Sequence, residues 1–421
     1  MSTPAPAAAP AAAPDQQQPA FRRVFGFIGG AVANTVATFI ILVVAAFVAR
    51  HVLDNKNTIA KTHSPEVVQA RMLARFEAGS VIPPVRKSHI DRPDVVAMLE
   101  GVLRPKEMTR YPVVVGETGC GKTSAVLDAI RPNRTGIVYH IVKSEVLVSV
   151  PGLLAGSLAF EPNQFKFADA YLVDRGATLK DKPAEEPFKS WEALVADLEI
   201  VAAQFKAKHG HPATLVIDAV DMIAKKGPEL LHVIQDFAKS AADANLLNVV
   251  LVTSDGSTLP ALKESSAMTR ARVVEVGDLT DQQAVTYLVR RDIHEDLAKR
   301  AVAEIAGGRL ILLNNLADDL QFKTVEQIST QLSIQTADSL QDVIDYSEMH
   351  NATSAVHKSL CDLTHGALHI DIVHRALGKD LTKKLLATNI NILAYHPNDT
   401  YTLHSRHVQR SVSTLLNCTR P

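Results

Sequence analysis

One glycine-rich segment restricts the possible folds of this chain most strongly: residues 111–124 read YPVVVGETGCGKTS. An apolar run leads into the pattern Gly116-x-x-x-x-Gly121-Lys122-Thr123. Glycines at these positions let the backbone turn tightly, so that several N–H groups point at one anion, and a helix that begins at Lys122 adds the positive end of its dipole. The spacing therefore predicts a strand, a phosphate-binding loop and a helix in succession.

The residue types after the glycines indicate which anion such a loop binds. A lysine at this position reaches the β- and γ-phosphates of a nucleotide, and the next hydroxyl holds Mg²⁺. The predicted cofactor-binding residues of the loop are Gly116, Glu117, Thr118, Gly119, Cys120, Gly121, Lys122, Thr123 and Ser124. No Asn-Lys-x-Asp string, the reader of guanine, occurs in the chain. The expected cofactors are therefore ATP and Mg²⁺.

Composition limits the number of domains and the class of partner. A chain of 421 residues with 47% hydrophobic side chains predicts two or three folded units. Because 44 basic side chains balance 45 acidic ones, no bulk charge draws the whole protein to nucleic acid. The three cysteines, Cys120, Cys361 and Cys418, are few and odd in number, which indicates a reducing compartment rather than a disulfide framework.

A long uncharged run precedes the loop. Residues 24–49 contain no charged side chain, and as a helix they would span roughly 39 Å, more than the ~30 Å hydrocarbon core of a membrane. We expect a single-pass transmembrane helix here. Gly26, Gly30, Asn34 and Thr38 form a small-residue stripe, so self-association through this helix stays open. The need for ATP favours a soluble part that faces the cytosol or the mitochondrial matrix.

The remaining patterns predict an α/β protein with several parts. After the loop, β-branched runs alternate with helical patterns, which is typical of a parallel sheet covered on both faces. Towards the C-terminus, three short helices precede a hairpin, the order of a winged helix. The expected organisation is a disordered Ala/Pro-rich tail (1–23), the transmembrane helix (24–49), a juxtamembrane linker helix (50–84), a P-loop core (85–279), a helical lid (280–345) and a winged-helix-like domain (346–421).

Hydrolysis of ATP requires a carboxylate for Mg²⁺ and a group that orients the attacking water. Residues 215–218, Leu-Val-Ile-Asp, form an apolar run that ends in an acid, so we expect Asp218 to bind the metal together with Thr123. Asp221 follows closely. It is a candidate for polarising water, although Ala219 occupies the usual position of that acid, and a role as a helix N-cap stays open.

Two further pairs of residues are candidates for the γ-phosphate. Thr253 and Ser254 end the next predicted strand and are expected to lie beside the loop, with a simple strand-to-loop turn as the alternative. Arg270 and Arg272 precede the last predicted strand. Guanidinium groups there would act on a neighbouring subunit as arginine fingers, or would be ordinary surface side chains.

The order of these motifs resembles a known family. The loop, the segments LVIDAVD, LVTSD and RARVVEVGDL, the Gly307-Gly308 break and the winged helix resemble the STAND branch of AAA+-like ATPases, above all the archaeal-type ATPases and the ATPase modules of crinkler and retrotransposon-hot-spot proteins. The resemblance covers roughly residues 85–415. It implies that Asp91 and Arg92 flank the adenine, with Asp91 where glycine is usual, and that Arg309 occupies a nucleotide-contacting position of the lid where proline is usual.

The resemblance implies a switch between closed and open assemblies rather than a metabolic enzyme. Two functions remain open: a membrane-anchored ATPase that acts on protein clients or on further copies of itself as a homo-oligomer, and a nucleotide-dependent scaffold with negligible turnover. A membrane-tethered nucleic-acid-binding regulator is the third hypothesis. Lys383 and Lys384 on a helix of the last domain are a weak footprint for it, so nucleic acid is not the expected partner.

Overall fold

The computed structural model describes residues 50, 64–85, 89–142, 154, 157–159, 186–226, 228–254, 258–349, 352–386 and 392–418. One compact unit begins at Pro65; in the other, Met1–Ser64, only Arg50 and Ser64 are described. The predicted tail (1–23) and transmembrane helix (24–49) lie outside the described residues. Among the helices that are described, none has the length and apolar character needed to cross a membrane.

A sheet of five parallel strands forms the centre of the compact unit. The strands are β1 (Tyr111–Val115), β2 (Ile137–Ile141), β3 (Ala213–Asp218), β4 (Leu247–Val252) and β5 (Ala271–Glu275). Their order across the sheet is β2-β3-β4-β1-β5. β1, β3 and β4 are buried at every residue, as near-continuous apolar strands covered on both faces must be. The predicted α/β fold is confirmed.

Helices cover both faces of this sheet. They are α1 (Pro65–Ala78), α2 (Pro93–Leu103), α3 (Lys122–Ile130), α4 (Glu186–His209), α5 (Asp221–Lys226), α6 (Pro228–Asp243) and α7 (Thr258–Lys263). Alternate strand residues point to opposite faces. Val113 and Leu215 therefore join an apolar cluster on one face, and Val114 and Val216 join another on the face that carries α3.

The sequence predicts a juxtamembrane linker helix over residues 50–84, and the helix described in this range, α1, packs into the folded unit. Along α1, Val68, Met72 and Phe76 recur every four residues, are buried and belong to the larger apolar cluster. The ring of Phe76 lies 6.3 Å from that of Phe205 on α4. A stripe with this spacing forms the core-facing side of an amphipathic helix.

A helical segment follows the sheet and has an apolar cluster of its own, which includes Leu288, Ile305 and Leu313. Its helices are α8 (Asp281–Val289), α9 (Glu295–Ala301), α10 (Leu310–Asp319) and α11 (Val325–Met349). Thr280 is the N-cap of α8 and forms a capping box with Gln283. This start signal explains why the strand pattern changes to a helix here.

The C-terminal part contains the three short helices and the hairpin that the sequence predicts. They are α12 (Thr353–His365), α13 (Ile370–Leu377), α14 (Lys379–Leu386), and the strands β7 (Leu393–His396) and β8 (Thr400–Leu403). The short strand β6 (Leu368–His369) lies before α13 and pairs with β8, which completes a three-stranded antiparallel sheet. A last helix, α15 (Arg406–Leu415), follows the sheet; neither β6 nor α15 is predicted from the sequence.

The expectation of unpaired cysteines is wrong for one pair. Cys361 on α12 and Cys418 after α15 form a disulfide. They are 57 positions apart in sequence, and only the packing of α15 against α12 brings them together. Cys120 is free and buried in the phosphate loop.

Candidate nucleotide-binding site

The phosphate loop connects β1 to α3, as the sequence predicts. Gly116, Gly119 and Gly121 have φ values of 155°, 81° and 95°, which L side chains rarely adopt. A Cβ on Gly116 would also overlap the carbonyl oxygen of Val276, just after β5. The glycines are therefore needed both for the turn and for the close approach of the loop to the sheet.

The ammonium group of Lys122 lies against this loop. The residue is only 3% exposed, and its Nζ donates hydrogen bonds of 2.7 Å to the carbonyl oxygens of Gly116 and Glu117. A buried cation is stable only with such partners. Because hydrogen bonds between two charged groups are stronger than those to a neutral carbonyl, a phosphate is a better partner for this ammonium than either carbonyl oxygen.

Thr123 and Asp218 meet beside the lysine. Asp218 ends β3 and is 1% exposed. Its Oδ2 accepts a 2.8 Å hydrogen bond from Thr123 Oγ1, and its Oδ1 accepts one of 2.7 Å from the Ala219 N–H. A hydroxyl and a carboxylate in contact are oxygen ligands of the kind that Mg²⁺ prefers. The donor set therefore fits the expected metal.

The same Oδ2 atom of Asp218 has a second partner, which sequence reasoning missed. Tyr139 on β2 donates a 2.7 Å hydrogen bond to it through its phenol. The signal in the sequence is weak, because Tyr139 is one residue of an ordinary β-branched and aromatic strand. Only the pairing of β2 with β3 brings its side chain to the acid.

The ends of β3 and β4 are joined by the polar residues that follow them. The Asp221 carboxylate accepts a 3.2 Å hydrogen bond from the Ser254 N–H, and Thr118 of the loop donates one of 2.6 Å to the Ser254 carbonyl oxygen. Thr253 is 1% exposed, and its Oγ1 has no hydrogen-bond partner among the described residues. Because β4 lies between β1 and β3, these side chains lie between the strand that leads into the loop and the strand that ends in Asp218, as expected.

A cavity of about 470 Å³ opens beside the loop, within the size range of small-ligand sites. Gly119, Gly121 and Thr123 line it from the loop. The other lining residues come from the connector before α2, from α3 and from the helical segment; they include Pro83, His89, Arg92, Asp128, Arg131, Tyr287, Leu310, Ile311 and Asn314. On the α3 side His89 Nε2 lies 3.0 Å from the Asp128 carboxylate. Most of these residues could not be selected from the sequence pattern, because they belong to separate elements.

The two connector residues predicted to flank adenine have different positions. The Arg92 side chain lines the cavity, yet its guanidinium donates to the carbonyl oxygens of Cys120 at 3.1 Å and Gly277 at 3.0 Å, so it ties the loop to the end of β5. The side chain of Asp91 is 80% exposed, and Asp91 is not among the residues that line the cavity. Asp91 lines an adjacent pocket with Ile90, and its contact with adenine stays a prediction.

Arg309, which the resemblance predicts to contact the nucleotide, is not among the residues that line the cavity, and its guanidinium bonds side chains of other elements. It is 4% exposed; its Nε donates to Asp278 Oδ1 at 2.7 Å, and its Nη atoms donate to His404 Nε2 at 2.6 Å and to the His404 carbonyl oxygen at 3.0 Å. Burial and the charge of Arg309 lower the pKa of His404 to about 3, so the neutral imidazole accepts this bond. The cavity is lined instead by Leu310 and Ile311.

A loop residue also contacts the C-terminal sheet. Glu117 Oε1 accepts a 3.1 Å hydrogen bond from the Tyr395 N–H on β7. Burial raises the pKa of the Glu117 carboxyl, and the nearby Arg309 and this hydrogen bond offset part of the rise. The phosphate loop and the C-terminal part therefore share a partly buried polar contact.

The two candidate arginine fingers lie near the amino ends of the strands, whereas the loop follows the carboxyl end of β1. Arg270 precedes β5 and forms a 3.3 Å ion pair with Asp243, and Arg272 pairs in register with Pro112 of β1. Gly116 follows Pro112 by four residues, about 13 Å along a strand. Neither arginine serves the loop of its own chain in this arrangement.

Comparisons with known proteins give structural similarity only. No family model and no curated protein matches the chain. A Walker-type ATPase of Pyrococcus abyssi is similar at 16% identity and a TM-score of 0.46, over 80% of this chain and 99% of the other. Thermotoga maritima RuvB, a Holliday junction branch migration motor, gives 14% and 0.38 over 79% and 96%. The Aeropyrum pernix ORC1 protein in complex with DNA gives 15% and 0.36 over 79% and 94%.

The chain's own geometry defines its class. A parallel sheet with the order β2-β3-β4-β1-β5, a glycine loop between β1 and α3, and an acid that ends β3 beside the loop threonine occur together. The chain therefore has a P-loop-like α/β core with a five-stranded parallel sheet.

Proposed function

We propose that this protein is a membrane-anchored ATPase that uses the binding and hydrolysis of Mg-ATP as a conformational and assembly switch for protein partners. The observation that carries the proposal is the meeting of Lys122, Thr123 and Asp218 at the loop. Lys122 binds the outer phosphates, and Thr123 and Asp218 hold Mg²⁺. When bound there, Mg²⁺ would supply positive charge that offsets the charge on the transferring phosphoryl group.

The remaining polar residues of the site have proposed roles in orientation. Thr253, with its unpartnered buried hydroxyl, is suited to contact the γ-phosphate. Asp221 is the candidate for orienting water, and its bond to the Ser254 N–H holds it at the strand ends. Arg270 and Arg272 serve the site of a neighbouring copy in a homo-oligomer, since their own loop is out of reach.

The switch is supported by contacts between the nucleotide-binding core and the C-terminal part, which we interpret as a winged-helix-like domain with α8–α11 as a lid. Glu117 of the loop bonds Tyr395. Lys263 on α7 forms a 2.6 Å ion pair with Asp399, in the turn between β7 and β8. Nucleotide at the loop changes the surroundings of Glu117 and thereby the hold of the core on this domain. This is the STAND-like behaviour that the sequence resemblance implies.

A specific observation favours the second candidate, a scaffold with negligible turnover. Ala219, in a left-handed conformation with φ 61°, directly follows Asp218 where a water-polarising acid is usual. Steady-state phosphate release by the detergent-solubilised full chain separates the two functions. The ATPase proposal expects Mg²⁺-dependent turnover that Asp218→Ala abolishes. Turnover no higher than that of the variant, with ATP still bound, supports the scaffold instead.

Membrane anchoring through residues 24–49 is proposed from the uncharged run alone. The test is alkaline carbonate extraction of cell membranes, followed by protease treatment of intact and opened vesicles. We expect the chain in the membrane pellet with the P-loop part on the nucleotide-containing side. Release of the intact chain by carbonate would contradict the anchor.

A further inference from the structure

We propose that Tyr139 is a positioning residue that fixes the orientation of Asp218 and thereby sets the affinity of the nucleotide site for Mg²⁺. This inference rests on the proposed function, because it concerns the same metal. Tyr139 does not itself touch the nucleotide phosphates in the proposal; it acts through the carboxylate.

The strand register explains why a tyrosine is needed at this position. Tyr139 pairs with Val216 in the parallel ladder between β2 and β3, and Asp218 lies two residues further along the strand. Two residues of a parallel strand span about 6.6 Å. A phenol covers this distance, whereas a serine, threonine or asparagine at the same place is too short. The observed bond from Tyr139 Oη to Asp218 Oδ2 is 2.7 Å long.

The tyrosine itself is held at both ends. Its N–H donates a 2.6 Å hydrogen bond to the buried Ser80 Oγ, and its ring packs against the apolar cluster on the α3 face of the sheet. The phenol therefore has little freedom to leave the acid.

The carboxylate of Asp218 is consequently restrained on both oxygens. The Ala219 N–H holds Oδ1, and Tyr139 shares Oδ2 with Thr123. Thr123 is a proposed ligand of the metal, but Tyr139 and Ala219 are not. The hydrogen bonds from Tyr139 and Ala219 therefore orient the Asp218 carboxylate whether or not the metal is bound. Loss of a hydrogen bond that orients a metal-binding carboxylate typically weakens metal binding about 10–100-fold.

The test is the binding of a fluorescent ATP analogue to the detergent-solubilised full chain, titrated with Mg²⁺ and repeated in EDTA. Tyr139→Phe keeps the ring and removes the donor. We expect the midpoint of its Mg²⁺ titration to rise at least about 10-fold, with an unchanged affinity for the nucleotide in EDTA. Tyr401→Phe is the matched control, because it also removes a buried phenol, one that lies on β8 of the C-terminal sheet and bonds His374. The Mg²⁺ midpoint of this variant should equal that of the wild type.

A double variant tests whether Tyr139 acts on Mg²⁺ affinity through Asp218. In the Asp218→Asn background, Tyr139→Phe should produce no further shift. If Tyr139→Phe does not fold, Tyr139→Met, which is also apolar and without a donor, gives the same comparison. An unchanged Mg²⁺ midpoint, or an equal loss of affinity in Mg²⁺ and in EDTA, overturns the inference and leaves the proposed function standing. Failure of the folded wild-type chain to bind nucleotide overturns the proposed function itself.

Discussion

Two histidines, the buried His404 and the half-buried His407, predict an acid-sensitive C-terminal part. Burial, with the charges of Arg309 and His407, lowers the pKa of His404 to about 3, and burial lowers the pKa of His407 to about 4. In the unfolded chain both values return to about 6.5. The unfolded state therefore binds more protons as the pH falls below 6.5, and the free energy of unfolding decreases in that direction.

The size of the loss follows from this difference. Between pH 7.5 and pH 5.5 each histidine remains neutral in the folded chain and becomes largely protonated in the unfolded chain. Each therefore costs about 1.4 kcal/mol over this interval, and the two together cost about 2.7 kcal/mol. His404, which follows β8, accepts a bond from Arg309, and His407 on α15 bonds Thr336 at 2.9 Å. Both losses therefore belong to the packing of the C-terminal part against the helical segment.

The assay is urea unfolding of the detergent-solubilised full chain at the two pH values, in buffers of equal ionic strength. His404→Gln keeps a neutral acceptor for Arg309 and should reduce the pH-dependent loss by about half. The exposed His294 provides the control, because His294→Gln should leave the loss unchanged. Equal stability of the wild type at both pH values, or an undiminished loss in His404→Gln, would refute this reasoning.

Three further predictions concern the packing of the phosphate loop, of Arg309 and of the disulfide-linked C-terminal part. In a urea titration, Gly116→Ala should lower the free energy of unfolding by about 2–4 kcal/mol, because the added Cβ meets a backbone oxygen after β5. Gly101→Ala is the control: the space around Gly101 is open, so this substitution should not destabilise the chain. Arg309→Met should cost about 3 kcal/mol and make the C-terminal part the first site of limited proteolysis; an unaltered digestion pattern would contradict the structural role of Arg309. Replacing both Cys361 and Cys418 by serine removes a link between residues 57 positions apart. The free energy of unfolding should fall by up to about 4 kcal/mol, because the unfolded chain regains loop-closure entropy. A thermal unfolding midpoint equal to that of the wild type would contradict this prediction.

The parts of the site that could be predicted are those encoded locally. The loop depends on glycines and a lysine at fixed spacing, so Gly116, Gly121 and Lys122 are readable from a single segment. Asp218 is readable because an apolar run ends in an acid. The parallel sheet then brings both to one edge, since parallel strands end on the same side.

The parts that could not be predicted depend on packing between distant elements. Arg309 follows a glycine pair in the expected way, but its partners Asp278 and His404 come from two other regions, and their carboxylate and imidazole draw the guanidinium away from the cavity. Tyr139 reaches Asp218 only through the register of β2 and β3. The disulfide depends on α15, a helix that the sequence pattern did not reveal.

Isothermal titration of the detergent-solubilised full chain with ATP in Mg²⁺ tests the central claim most directly. The wild type should bind about one ATP per chain. Lys122→Ala should abolish the heat, because the buried ammonium is the main positive charge offered to the phosphates, while Lys299→Ala, an exposed lysine on α9, should bind like the wild type. No heat from the folded wild-type chain, or the same heat from Lys122→Ala, would contradict the account.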